Sequence, residues 1–195
     1  MTIKHNTRLL KRFPLLLIAF LLVGLFFSGC TTGSQPRGWS GGTLEGGRLF
    51  LGSMRGTLAI IDTSTHAVER EIPLEITKAS SGLGCSQASL LPAIYGNPAV
   101  DGKWVYLGDY NGRIYAFDSS TGSYKPPRYL NPSRPQPIIG GPLLALGNLY
   151  FGSTDGYLYA LDPDTLDERW SFKTGDRIWS TPATNGVLIF IGSFD

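Results

Sequence analysis

Beyond its first thirty residues the chain holds one histidine, His66, and one cysteine, Cys85. Together they are the raw material for a thiolate nucleophile with an imidazole base, a chemistry that needs close geometry and a third group to orient the imidazole. The spacing supplies neither. His66 falls at the tip of a turn, and Cys85 reads as a small apolar filler. No His or Cys pair has the separation of zinc ligands. Three aspartates, Asp62, Asp118 and Asp162, recur at one register, each after an apolar stretch and before a turn. A carboxylate there caps the backbone N–H groups of the turn, and a unique metal or catalytic centre has no use for periodic copies. The expectation is no catalytic, cofactor or metal residue in this chain.

Cys30 is the cysteine with a chemical setting. Lys4, Arg8, Lys11 and Arg12 precede a 13-residue apolar run, residues 15–27, that leads into Ser28-Gly29-Cys30. A basic start, a short apolar core and small residues at the cut describe a secretory signal. The run is also shorter than the roughly 20 residues of a membrane-spanning helix. Ser28-Gly29-Cys30 resembles the bacterial lipobox, with Phe27 where Leu is usual. That resemblance implies that Cys30 is diacylated and becomes the new N-terminus. Each buried CH₂ contributes about 0.8 kcal/mol, so several acyl chains together hold a protein at a membrane.

Residues 1–29 are therefore expected to be a lipoprotein signal peptide, 30–37 a tether, and the rest extracytoplasmic. In a diderm cell the chain would face the periplasm, and Thr31 rather than Asp favours outer-membrane sorting. In a monoderm it would sit on the outer face of its only membrane. With Cys30 acylated, Cys85 has no intramolecular disulfide partner. The leader carries four of the 17 Lys and Arg and none of the 15 Asp and Glu, which leaves 13 basic against 15 acidic residues after cleavage. Nucleic-acid binding calls for a clustered basic face, so no nucleic-acid partner is expected.

The elements that carry these residues are written as a repeat. Gly-Asp-Tyr-Asn-Gly-Arg-Ile-Tyr-Ala-Phe-Asp begins at Gly108, and Gly-Ser-Thr-Asp-Gly-Tyr-Leu-Tyr-Ala-Leu-Asp at Gly152. A weaker copy begins at Gly52 and a short one, Gly-Ser-Phe-Asp, at Gly192, so the anchors lie 56, 44 and 40 residues apart. Short strands and turns repeating at about 40–45 residues mark a β-propeller blade. In the third copy the expected strands are residues 140–145, 149–152, 157–162 and 168–173. Asp155-Gly156 is read as a type I′ hairpin turn, with Asn111-Gly112 and Arg55-Gly56 in its place in the other copies. Pro98, Pro142 and Pro182 lie ten residues before an anchor, and Trp39, Tyr95, Ile139 and Trp179 thirteen before.

The fold class is thus all-β: a partial β-propeller of four-stranded antiparallel blades over residues 38–195, three blades and half of a fourth, preceded by a signal helix. Because propellers close with about four to eight blades, the chain reads as a fragment truncated at its C-terminus. Residues 187–191 are expected as an open apolar edge strand.

Ala160-x-Asp162-x-x-Thr165-x-x-x-x-Trp170 resembles the tryptophan-docking motif of the pyrroloquinoline-quinone (PQQ)-like propeller repeat. Ala116-x-Asp118-x-x-Thr121-Gly122 resembles its first half, with Pro126 at the Trp position; the copy at Ile60 and Asp62 has His66 for the motif Gly and Arg70 for the Trp. Leu166 stands where the motif has Gly. The resemblance implies that Trp170 wedges between blades, and Trp179 is assigned a structural role beside it. With the lipobox it is similar to the lipoprotein type of that family, exemplified by the propeller subunit of the outer-membrane β-barrel assembly machinery. This implies a non-catalytic, lipid-anchored scaffold that holds envelope proteins through its blade loops. Two insertions, residues 75–91 and the Pro-rich 125–137, are the loop candidates. The family also contains quinoprotein dehydrogenases, so a truncated PQQ-dependent enzyme with calcium is the alternative reading.

Overall fold

The computed structural model describes residues 39–74 and 92–195, all within one unit. Cys30, the signal, the tether, residue 38 of the expected repeat region and the 75–91 insertion with Cys85 lie outside the described residues. The described chain is built of antiparallel sheets. The first has β1 (Trp39–Glu45), β2 (Arg48–Ser53), β3 (Thr57–Asp62) and β4 (Val68–Pro73), in chain order. The second has β5 (Ala99–Asp101), β6 (Trp104–Gly108), β7 (Arg113–Asp118) and β8 (Arg128–Tyr129), and the third β9 (Leu143–Ala145), β10 (Asn148–Gly152), β11 (Tyr157–Leu161) and β12 (Glu168–Lys173). A two-stranded ribbon, β13 (Ala183–Thr184) and β14 (Ile189–Phe190), follows. These are the expected three blades and the start of a fourth.

The blades pack face to face, because a strand sends alternate side chains to opposite sides, and the second blade is covered on both. Phe50, Leu58 and Ile60 of the first blade form one core with Val105, Leu107, Tyr115 and Phe117 of the second. Tyr106, Ile114 and Ala116, one residue out of phase, join Leu149, Phe151, Tyr159 and Leu161 of the third. Tyr150, Leu158 and Ala160 then meet Ile178, Ile189 and Ile191. Full burial of each large apolar side chain contributes roughly 1.5–3 kcal/mol, so the stacking of blades, not any single sheet, holds the fold.

The anchor glycines exist for this stacking. A Cβ on Gly52, Gly108 or Gly152 would lie 2.4, 2.4 or 2.2 Å from Cγ2 of Ile94, Ile138 or Ile178. Those three isoleucines are fully buried and occupy the same place in successive blades. Each sits fourteen residues before the next anchor, a regularity as clear as those at ten and thirteen.

Two local expectations are corrected. The Gly56, Gly112 and Gly156 hairpins are not type I′: the glycines have φ of 74, 79 and 84°, but Arg55, Asn111 and Asp155 do not adopt positive φ. Gly156 N–H donates to the Ser153 carbonyl and Ser153 N–H to that of Tyr157, which makes a three-residue loop with a glycine bulge. The first residue of the loop dictates this. Asp109 Oδ1 accepts from the Asn111 and Arg113 N–H groups at 2.9 and 2.8 Å, and Ser53 Oγ from those of Arg55 and Thr57. Paired positive φ occurs instead in the hairpin one strand earlier, at Gly46-Gly47 and Leu146-Gly147.

The expected strand at 140–145 is shorter, Leu143–Ala145. Gly140 and Gly141 serve the next blade instead. A Cβ on Gly140 would lie 2.3 Å from the Ser180 carbonyl oxygen, and Gly141 N–H donates to Thr181 Oγ1 at 2.8 Å.

Candidate interblade docking site

The recurring aspartates stand where a turn needs them, at the close of the third strand in each blade. Asp62 Oδ1 accepts from the N–H groups of Ser64 and Thr65, both at 2.8 Å, and from Ser64 Oγ. Asp118 does the same with Ser120 and Thr121, and Asp162 with the N–H groups of Asp164 and Thr165. These bonds favour the ionised carboxylate. The Ser64 hydroxyl above all, then the two N–H groups, hold Asp62 down at about 2. Asp118 is lowered chiefly by Ser120 and Asp162 chiefly by Arg169. The motif glycine position follows: Gly122, His66 and Leu166 have φ of 75, 58 and 62°. The left-handed conformation is therefore kept whether or not glycine supplies it.

The turns of the second and third blades each receive a side chain from the blade before. Arg70, at the motif Trp position of the first blade, donates from Nη2 to the Ser120 carbonyl at 2.8 Å and from Nη1 to that of Thr121 at 3.0 Å. Its guanidinium lies so close to Gly122 that a Cβ there would be 3.1 Å from Nη1. In the second blade Pro126 holds the position and has no donor, so Lys125 acts instead. Its Nζ donates to the Pro163 carbonyl at 2.9 Å, lies 4.2 Å from the centre of the Trp104 ring and 3.9 Å from Asp164. Burial lowers the Lys125 pKa, partly opposed by Asp164 and Asp162. Tyr106 OH donates to the same carbonyl at 3.3 Å, and Arg128 pairs with Asp167 at 2.8 Å.

Sequence reasoning missed these cationic clamps, because it compared residues with the motif rather than with each other. Arg70 faces Gly122, whereas Lys125 reaches the turn at Pro163 and Asp164, and Leu166 of that turn is buried in the core shared by the second and third blades.

Trp170 is the third residue at this position. It is not enclosed between described blades: its ring lies 5.7 Å from that of Tyr150 in its own sheet and stays 42% exposed. Trp179 is also exposed and meets Phe194 edge to face at 4.8 Å. Ala116 and Ala160 are buried on the third strands. Gly192 exchanges hydrogen bonds with Ser180 Oγ, its N–H donating at 3.0 Å.

The second blade also buries a carboxylate. Asp109 is fully buried, with Oδ2 accepting from Tyr115 OH at 2.9 Å. Burial raises its pKa despite these bonds, and burial raises Tyr115 as well. A calcium ion takes about six to eight oxygen ligands, largely carboxylates. Among the described residues no three His, Cys, Asp or Glu side chains converge to hold a metal ion, and both Asp109 oxygens already accept hydrogen bonds.

Four-stranded blades stacked face to face, with the turns of the second and third gripped by the blade before, define a β-propeller. The chain belongs to the PQQ-type repeat family whose model, described as outer membrane protein assembly factor BamB, matches residues 29–185. Among solved structures it is similar to BamB from Moraxella catarrhalis, with a TM-score of 0.62 and 19% identity over 80% of this chain and 43% of that one. Among curated proteins, 1-butanol dehydrogenase (quinone) of Thauera butanivorans is 36% identical over 77 residues, 39% of this chain and 12% of that protein. The serine/threonine-protein kinase AfsK of Streptomyces griseus is 37% identical over 91 residues, 47% of this chain and 11% of the kinase. The chain spans about a tenth of the length of these curated relatives.

Proposed function

We propose that this propeller is a lipid-anchored scaffold of the cell envelope, tethered through acylated Cys30 and holding other envelope proteins with its blade loops, in the assembly of outer-membrane proteins. The family match over residues 29–185 carries the reading. The deployment of polar chemistry agrees with it: the recurring aspartates cap turns, and Asp109 closes a hairpin. What remains for a partner is the exposed rim. The Pro-rich segment is ordered against the second and third blades, with Leu130 N–H donating to the Gly112 carbonyl and Thr154 N–H to that of Pro137. It presents Tyr129 and Arg134 outward. A rim loop held by its own blades offers a partner a surface whose ordering is already complete.

Two measurements test this. Metabolic labelling with a fatty acid should mark the protein, and Cys30→Ser should abolish the label and release the chain from membranes. Deleting the gene in a diderm host should lower the amount of folded outer-membrane β-barrels, read as heat-modifiable bands on gels. Unchanged barrels would reject the assembly role, and unchanged membrane association of Cys30→Ser would reject the anchor.

The matches to quinone-dependent dehydrogenases favour a second reading, a PQQ-dependent oxidoreductase. Reconstitution with PQQ and calcium, followed by a cofactor spectrum and dye reduction, discriminates between the two; neither signal is expected.

A further inference from the structure

We propose that the end of the propeller formed by the hairpins at Ser53, Asp109 and Ser153 lies against the surface of the bilayer to which the chain is tethered, with Tyr95 and Tyr110 among the lipid headgroups. The inference rests on the acylated Cys30 of the preceding section and adds an orientation to it.

The tether and the topology point to this end. Trp39, the first described residue, pairs with Ser53 at the close of β2, so β1 enters beside the hairpin that joins β2 to β3. Trp39 lies nine positions after Cys30, a reach of about 30 Å for fully extended chain. Strand β2 is six residues long, about 20 Å, and the opposite end of the blade stands that much farther from Trp39. A tether this short keeps the hairpin end next to the membrane. The chain returns to the same end at each blade junction, where the N–H groups of Ile94, Ile138 and Ile178 donate to the Ser53, Asp109 and Ser153 carbonyls.

The chemistry of the two ends differs in the same sense. At the hairpin end the Tyr95 and Tyr110 rings lie 5.5 Å apart, Tyr110 N–H donates to the Ala93 carbonyl, and the Tyr110 side chain is 47% exposed. Trp179 and Phe194, at the same two positions relative to Gly192, form the same contact at 4.8 Å. Aromatic side chains with an apolar body and a polar tip settle at membrane–water interfaces. Arg55, on the neighbouring hairpin, is exposed and pairs with no carboxylate among the described residues. The carboxylates of this end are engaged: Asp109 is buried, Asp155 accepts from Tyr159 OH at 2.7 Å, and Asp176 lies 4.0 Å from Arg177. The opposite end carries the Asp62, Asp118 and Asp162 turns, whose hydrogen bonds keep them ionised. An anionic bilayer surface attracts Arg55 and repels those turns.

The test uses the full acylated chain with Cys85→Ser, bound to vesicles of phosphatidylethanolamine and phosphatidylglycerol. A fluorophore is attached at Tyr110→Cys, or at Ser64→Cys on the opposite end, and lipids with a nitroxide headgroup act as quencher. Most of the emission should be lost at position 110 and none at 64. Asp176→Cys, at the hairpin end with Tyr110 intact, should be quenched like 110. Arg55→Glu, or phosphatidylcholine in place of phosphatidylglycerol, should reduce quenching at 110. Flotation of the same samples reads the anchor separately. Equal quenching at 64 and 110 in chains that float would overturn the orientation and leave the anchor standing, whereas chains that fail to float would reject both. Position 110 unquenched by lipid but shielded from iodide in host membranes would place a protein on this end and would also overturn the proposal.

Discussion

At the residue scale the informative positions are those where the chain departs from its own repeat. His66 and Leu166 both hold a left-handed backbone that costs an L-residue about 1 kcal/mol, but for different returns. His66 is exposed and Leu166 buried. His66→Gly should therefore raise stability by about 0.5–1 kcal/mol. Leu166→Gly should lower it by about 2 kcal/mol, because lost burial and the cavity exceed the relief of strain. Denaturant titration of the pair checks both signs.

Carboxylates give a second test at this scale. Asp62, Asp118 and Asp162 have lowered pKa values, so their stabilisation is present above the ordinary carboxylate value of about 3.9 and is lost as pH falls toward 2. Asp109 is raised by burial, and its sign is opposite: the cost of its charge appears as pH rises from about 3.9 through its higher folded value. Asp109→Asn should remove that fall in stability between mildly acidic and neutral pH. It should leave the loss of stability at low pH unchanged. Unfolding free energies measured across that range would decide it, and an Asn variant with the wild-type slope would show that Asp109 is not its source.

At the element scale the joint between blades is made by one small and one branched residue. Gly108→Ala would place a methyl 2.4 Å from Ile138 Cγ2 and should cost about 1–3 kcal/mol through overpacking. Pairing it with Ile138→Ala should cost less than the two separate losses added together, since the second change empties the space the first one needs. A double-mutant cycle by thermal or chemical unfolding reads this coupling. The polar half of the joint is weaker. Arg70→Ala removes two charged hydrogen bonds at a partly exposed site and should cost about 1 kcal/mol, while Arg70→Lys, lacking the planar fork, should recover only part of it.

At the scale of the whole molecule, stability comes from neighbour on neighbour, as in any stacked repeat. The last described ribbon is the weakest part of that stack: β14 pairs on one side with β13, and Phe190 on it and Val187 and Leu188 just before it are exposed. Apolar open edges template association. The chain should therefore sediment with a concentration-dependent increase in mass, and Phe190→Lys, which puts a charge on the edge, should reduce it. A single monomeric species at all concentrations for the unsubstituted chain would contradict this.

Much of the fold was legible in the sequence because it repeats. Copies at Gly52, Gly108 and Gly152 average out local ambiguity, and Asp62, Asp118 and Asp162 could be read as turn caps because an aspartate before a turn bonds its own neighbours. Such local chemistry needs no knowledge of the rest of the chain. The hairpin type was misread for the same reason inverted: the dipeptide Asp155-Gly156 admits two loop geometries, and the side chain that opens the loop selects between them. What only the tertiary structure decided is where one blade meets another. That Arg70 and Lys125 grip the following turn, and that Leu166 is buried in the core between the second and third blades, are properties of surfaces brought together from residues 38 to 51 positions apart. Their energies depend on distance and burial, which a linear pattern does not contain.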